Sequence, residues 1–190
     1  MSSSEIEICN LALTRLGHSA ITAFSEASVG ASLAKLHYAN TRDAVLRAHP
    51  WNFAIRRVML AQETTTPAFE YTYQYALPAD FLKIVRTDLD AQGYSVDYRI
   101  EGRKLLTDEG TIGIEYIARI EDVAQFDPMF VDCLAARLAA EIGTKLTDNA
   151  QMIRTAWEIY GEKIREARSV DAQEGTPRDI IADEWLLSRA

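Results

Sequence analysis

The chain has 190 residues, which is enough for one domain with a sizeable buried core. Apolar residues make up 48% and charged residues 25% of the sequence, a balance that argues against a disordered or fibrous protein over most of its length. The formal net charge of −8 disfavours a protein that coats nucleic acid, because its surface as a whole repels phosphates.

The apolar segments are too short for a membrane protein. None approaches the ~20 residues that a membrane-spanning helix needs, and the start MSSSEIEI lacks the basic-then-apolar order of a signal peptide. We therefore expect synthesis in the cytosol and no membrane anchor. Cys9 and Cys133 each lie among apolar neighbours at helical spacing, which predicts buried core side chains instead of a disulfide or metal site.

The first predicted helix covers residues 4–17. Ser4 followed by Glu7 is a capping box, in which each side chain bonds to the backbone of the other residue. Gly17 then supplies the left-handed conformation that ends many helices. The apolar face of this helix is predicted to contain Ile6, Cys9, Leu13 and Leu16.

The second predicted helix begins near Ser28 and runs to about Ala48. It ends there because Pro50 cannot donate a backbone hydrogen bond and disfavours helical geometry at His49. Its buried stripe is predicted to contain Leu33, Leu36, Asn40 and Ala44.

A β section is predicted to follow. Residues 51–60 are rich in strand formers, and residues 69–75 alternate aromatic and polar side chains, as a half-buried strand does. Further short strands are predicted at residues 81–86, 96–100, 104–106 and 112–117. About five such strands at hairpin spacing predict a small antiparallel sheet.

Two long helices are predicted after the β section. Asp127 and Pro128 form a strong helix start, and apolar residues at helical spacing continue to about Thr147. Asp148 is predicted to cap the fourth helix, which should pair antiparallel with the third through their short link. The predicted stripe of the fourth helix is Ile153, Trp157, Tyr160, Ile164 and Ala167.

These elements predict an α+β fold, an antiparallel bundle of about four helices with a small antiparallel sheet inserted between helices two and three. Residues 1–170 form a single predicted domain, with helical parts at 1–49 and 126–170 and the β insertion at 50–125. Residues 171–190 are predicted to form an extended C-terminal arm.

The predicted arm carries a compact apolar cluster in an acidic context. The cluster consists of Ile180, Ile181, Trp185, Leu186 and Leu187. Two interpretations stay open: a final helix folded back on the core, or an arm that docks this cluster into a groove on another subunit.

The sequence carries no strong catalytic or cofactor motif. A phosphate loop, a dinucleotide fingerprint, zinc-ligand spacing and HExxH are all absent, so no cofactor, metal or catalytic residue is expected. The histidines His18, His37 and His49 are spread over a loop, a helix and a helix end, which favours surface or capping roles over catalysis.

Two groups of charged residues carry hypotheses of function. Arg42, Asp43 and Arg47 form a salt-bridge stripe along the second helix, which would fix the register of a subunit interface if it were buried there. Two carboxylates of the β section at a suitable separation could cleave a glycosidic bond, although acidic residues usually form a solvated face. The candidates are Asp80, Glu101, Asp108, Glu109 and Glu115.

Several segments in a fixed order carry a family resemblance. They are ICNLALTRLG at residues 8–17, RDAVLRAHPWNFA at 42–54 and YALPADFLKIVR at 75–86, followed by the two C-terminal helices. With them the chain resembles the tail tubular protein A family of short-tailed bacteriophages, the head-to-tail adaptors. Each motif is short and apolar, so the resemblance lies in their order, and it covers most of residues 5–168.

The resemblance implies a structural virion protein of the phage tail, assembled in the bacterial cytoplasm and without catalytic function. Such adaptors form a ring of twelve copies below the portal protein, extend the DNA channel and recruit the next tail component. DNA would pass through without sequence-specific binding. The helical body would supply the side-to-side contacts, the β section would face the next tail ring, and the arm would reach the portal.

Two other classes stay open. One is a tail-associated glycan hydrolase that uses carboxylates of the β section. The other is an unrelated acidic protein-interaction domain, which would have no affinity for a portal and would not form a ring.

Overall fold

The computed structural model describes residues 4–174. Its fold is α+β, which confirms the predicted class. The helices are α1 (Glu5–Arg15), α2 (Val29–Ala48), α3 (Pro128–Leu146) and α4 (Ala150–Gln173). The strands are β1 (Ile55–Met59), β2 (Tyr73–Ala76), β3 (Phe81–Thr87), β4 (Tyr98–Glu101), β5 (Lys104–Thr107) and β6 (Gly113–Ala118).

The six strands form two antiparallel sheets instead of the one sheet that was predicted. Sheet A has the order β1-β6-β3, and sheet B has the order β2-β5-β4. β6 inserts between β1 and β3, so its pairs are distant in sequence. The β4–β5 hairpin pairs with β2 through β5, and these three strands form a sheet separate from sheet A. Hairpin spacing in the sequence reports neighbouring strands and carries no information about such distant pairs.

The core is centred on α3, which packs against α1, α2 and α4. The buried apolar side chains of the described residues form one cluster that joins the helices to both sheets. Trp51 and Phe130 are buried in it, and their rings are in edge-to-face contact with a distance of 5.2 Å between the ring centroids. Cys9 and Cys133 are free and buried in this cluster, as predicted, and burial raises the pKa of each thiol to about 12.

The predicted buried face of α2 is wrong except for Leu33, which is half-buried and packs against the core. Leu36 is 66% exposed, and Asn40 and Ala44 are also exposed. The buried face consists of small residues with a few larger ones, among them Ala31, Ala34, Tyr38 and Val45. Alanine side chains let α2 approach the neighbouring helices closely, so the size of the side chains decided the face here.

Several element boundaries differ from the predictions because of local hydrogen bonds. β1 begins at Ile55, since residues 52–54 form a turn of 3₁₀ helix. β2 begins at Tyr73, because the N–H and hydroxyl of Thr72 donate to the carboxylate of Asp108. Phe69, predicted within that strand, is 80% exposed in the preceding loop.

The N-terminal caps follow the predictions at two helices and differ at α4. Ser4 Oγ accepts from the N–H of Glu7, and Ser4 N–H donates to Glu7 Oε2 at 2.7 Å, which completes the capping box. Asp127 caps α3. The cap of α4 is Asn149 and not Asp148, because the Asn149 side chain accepts from the N–H groups of the two residues that follow Ala150. α4 continues to Gln173, so the first residues of the predicted arm are helical.

Candidate interaction surfaces

An apolar row lies along the outside of α2. It consists of Val29, Leu33 and Leu36, which are spaced four and three residues apart and therefore line up on the helix. At 100° per residue Val29 and Leu36 lie opposite Ala34 and Val45, which face the core, whereas Leu33 lies at the side of the helix and packs against the core. Val29 and Leu36 are exposed, and Leu33 is half-buried. A contiguous apolar row of this kind on a folded surface marks a candidate contact with another molecule.

Arg42 and Asp43 join α2 to the segment that follows β6. The side chain of Arg42 is only 7% exposed, and its Nε donates to Asp43 Oδ1 at 3.0 Å. Its Nη2 lies 3.4 Å from Glu121 Oε1. Asp43 in turn accepts from Nε of Arg119 at 2.7 Å.

Arg47, the third residue of the predicted stripe, donates from its guanidinium to the backbone oxygen of Leu82 in β3. The structure thus brings the whole stripe against sheet A of the same chain. Because Arg42 is buried with charged partners, these contacts fix how α2 lies on the sheet. The role of the stripe between subunits stays a prediction.

Glu115 of β6 lies between two arginines on one face of sheet A. Its Oε2 accepts from Nε of Arg57 in β1 at 3.1 Å and from Nη2 of Arg86 in β3 at 2.9 Å. The carboxylate is buried, and the two guanidinium groups compensate its charge. These contacts form an ion-pair network that joins the three strands of sheet A.

The five carboxylates considered for glycoside cleavage are divided between the two sheets. Glu115 lies in β6 of sheet A and Asp80 immediately precedes β3 of the same sheet, whereas Glu101 ends β4 and Asp108 and Glu109 follow β5 in sheet B. Asp80 accepts from the hydroxyl of Tyr116 at 3.1 Å. Burial and this hydrogen bond raise the pKa of Tyr116 to about 12. Asp108 holds the backbone at the start of β2, as described above.

A cavity of about 360 Å³ opens beside the Glu115 network, at the far end of sheet A. Met59, at the end of β1, contributes an apolar wall and is 62% exposed. Gly113 lies directly opposite Met59, and a Cβ on it would lie 2.8 Å from Met59 Sδ and 3.1 Å from Asp88 Cγ. Only glycine therefore fits at this position without displacing its neighbours.

The end of α4 is held at the junction between α2 and β1. A hydrogen bond of 2.9 Å joins His49 Nε2 to Asp171 Oδ2. Asn52 N–H donates to Asp171 Oδ1, and Asn52 Nδ2 donates to the backbone oxygen of Asp171. Arg168 adds a hydrogen bond to the backbone oxygen of Ala48. His49 is thus a helix-end residue, as predicted, and its acidic partner comes from the other end of the chain.

The predicted arm cluster lies outside the described residues; it comprises Ile180, Ile181, Trp185, Leu186 and Leu187. α4 offers an aromatic surface formed by two residues of its predicted apolar stripe, Trp157 and Tyr160. Trp157 is partly exposed, and the guanidinium of Arg137 lies 4.5 Å from its ring and 5.0 Å from that of Tyr160. Aromatic and arginine side chains together are typical of the central part of protein interfaces.

Between residues 4 and 174, no three histidine, cysteine, aspartate or glutamate residues are grouped so that they could hold a metal ion. The same part of the chain contains no helix long and apolar enough to cross a membrane.

No protein-family model matches the chain, and no curated protein matches it in sequence. The described fold leaves apolar side chains exposed on α2 and α4, namely Val29, Leu36 and Trp157. The resemblance to the phage adaptor family stays a prediction.

Proposed function

We propose that this chain is a structural adaptor of a phage tail, which forms a ring with copies of itself below a portal protein. In this role it extends the DNA channel and recruits the next tail component. The observation that best supports the proposal is the outward apolar row of α2. A ring subunit needs a surface that its own fold leaves uncovered, and Val29 and Leu36 are exposed on the side opposite the core.

A closed ring with head-to-tail contacts needs two different, complementary surfaces on each subunit. We assign the second surface to α4 around Trp157, where an exposed indole, Tyr160 and the guanidinium of Arg137 lie together. Burial of the α2 row against such a surface would remove apolar area from water on both sides and thereby stabilise the contact.

The β insertion is assigned to the next tail component. Phe69 extends from the loop before β2 with 80% of its surface exposed, and the next residue, Glu70, has a positive φ of 75°. A non-glycine residue in this conformation is strained, and such strain is concentrated at functional loops. The net charge of −8 suits a channel wall, because repulsion of phosphates lets DNA pass without binding.

The proposal is tested by size-exclusion chromatography with light scattering on the chain alone and mixed with the portal protein encoded beside it. We expect a portal-bound ring for the natural chain. Leu36→Asp should prevent ring formation, because it introduces a charge into the apolar row. Lys35→Asp places the same carboxylate at an exposed position of α2 that lies 100° around the helix from Leu36, away from the row, and should assemble normally.

The failure of the natural chain to bind the portal would contradict the adaptor function and favour the unrelated interaction domain. If both aspartate variants assembled like the natural chain, the adaptor function would stand, but the α2 row would not be the subunit contact.

A further inference from the structure

The outer edge of β1 has no strand beside it among residues 4–174. Leu60 N–H donates to the backbone oxygen of Ile112 in the continuation of the β1–β6 ladder. Because residues alternate in an antiparallel ladder, Arg57 and Met59 direct their backbone N–H and C=O groups away from β6. Such an edge is a template for an added strand.

The C-terminal end of the described chain lies close to the start of β1. Asp171 accepts a hydrogen bond of 3.0 Å from the N–H of Asn52, which precedes the first residue of β1 by only three positions. Residues 175–190 follow from there. An extended residue spans up to ~3.3–3.6 Å, and a five-residue strand is ~17 Å long. A few residues after Gln173 are therefore enough for the chain to reach β1.

The sequence of this segment complements β1 in charge. Residues 178–184 read RDIIADE, in which one arginine and three acids leave the segment negatively charged, and charged side chains are common on edge strands. Its strand-forming residues are the β-branched Ile180 and Ile181. β1 offers Arg56 and Arg57, and the side chain of Arg57 is 70% exposed although it also contacts Glu115.

The residues that follow complement the apolar surface beside β1. The cavity next to Met59 is open and walled in part by apolar side chains, and Trp185, Leu186 and Leu187 come directly after the acidic stretch. Coverage of Met59 and the cavity by these side chains would remove apolar surface from water on both partners.

We propose that residues 178–184 add to the free edge of β1 in the same subunit, and that the apolar side chains beyond them cover the cavity beside Met59. The occupant is the C-terminal segment of the same chain, because the Asp171–Asn52 contact starts this segment next to β1. The pairing concerns the isolated subunit, so it goes beyond the adaptor function and does not depend on it.

The test is amide hydrogen exchange, followed residue by residue by NMR on the full chain. We expect the amides of Arg57 and Met59 to exchange about tenfold or more slowly in the natural chain than in a variant with Ile180→Asp and Ile181→Asp together. Ser188→Asp, a charge placed in the same segment beyond the proposed contact, should leave the exchange as in the natural chain. The amide of Leu60, which is bonded to Ile112, should be equally protected in all three proteins.

Equal exchange of Arg57 and Met59 in the natural chain and the double variant would overturn the proposal. Protection that rises with protein concentration would overturn it too, because a second copy would then be the occupant. The portal-binding assay is a separate measurement, so failure of the adaptor proposal leaves this result unaffected.

Discussion

His49 and Asp171 are 122 residues apart in sequence, and their side chains meet at a distance of 2.9 Å. Asp171 also accepts from the backbone of Asn52 and so holds the last turn of α4 against the start of the β insertion. The contact links the end of α4 to the segment between α2 and β1, where the β insertion begins.

Removal of this contact should destabilise the protein. Asp171→Ala leaves the N–H of Asn52 and the ring of His49 without their acceptor, and we expect a loss of about 1–3 kcal/mol in the free energy of unfolding. Urea unfolding followed by circular dichroism measures it. Asp148→Ala removes a carboxylate near the other end of α4, where Asn149 is the cap, and should cost clearly less. Equal costs for the two variants would contradict the assigned role of Asp171.

The caps were predictable because their signals are local. Ser4 and Glu7 bond to each other's backbone within one turn, and Asp127 before Pro128 starts α3 for the same kind of reason. The partners of Arg42 and Asp43 were not predictable. Glu121 and Arg119 lie more than seventy residues further along the chain, and only the insertion of β6 between β1 and β3 brings them to α2.

The buried face of α2 could not be predicted, because apolar residues occupy both sides of that helix. Leu33 and Leu36 favour one face by hydrophobicity, whereas Ala31 and Ala34 permit close packing on the other. Tertiary packing decided between the two. The hydrophobicity of Leu36 led to the wrong prediction of a buried face. Because this leucine is exposed in the folded chain, its hydrophobicity instead indicates a candidate contact surface.

Two glycines with opposite surroundings provide a test of packing. Gly113→Ala should destabilise the protein by about 1 kcal/mol, because a Cβ would lie 3.1 Å from Asp88 Cγ, and the hydrogen bond that Asp88 accepts from the N–H of Gly113 holds this side chain in place, whereas the exposed end of Met59 can move aside. Gly161→Ala should stabilise it by about 1 kcal/mol, because Gly161 lies within α4 and its added Cβ meets no other atom within 4 Å. Thermal unfolding of the two variants measures both, and the same sign for both would contradict this account.

Asp132 on α3 gives the fold a dependence on pH. It contacts Arg15 of α1 and Lys163 of α4, whose Nζ lies 3.0 Å from its Oδ2, so three helices meet at one carboxylate. Partial burial alone would raise the pKa of Asp132, but the two cations outweigh burial and lower it. The lowered pKa means that the folded state binds this proton more weakly than the unfolded chain does. The ionised pair therefore stabilises the fold above the unfolded pKa of about 3.9, and this contribution is lost as the pH falls through the folded pKa.

Asp132→Asn should consequently destabilise the protein at pH 7 and matter less in acid. We expect a loss of about 1 kcal/mol at pH 7, kept small because the side chain is partly exposed and water screens the charges. The difference between the natural chain and the variant should narrow below about pH 4, where the natural carboxylate also becomes protonated. Urea unfolding of both proteins at pH 7 and at a pH below about 4 measures how far the difference in the free energy of unfolding narrows. Glu158→Gln, an exposed substitution on α4, should show no comparable narrowing. A difference for Asp132→Asn that stays constant down to pH 2 would mean that the carboxylate contributes through packing and not through its charge.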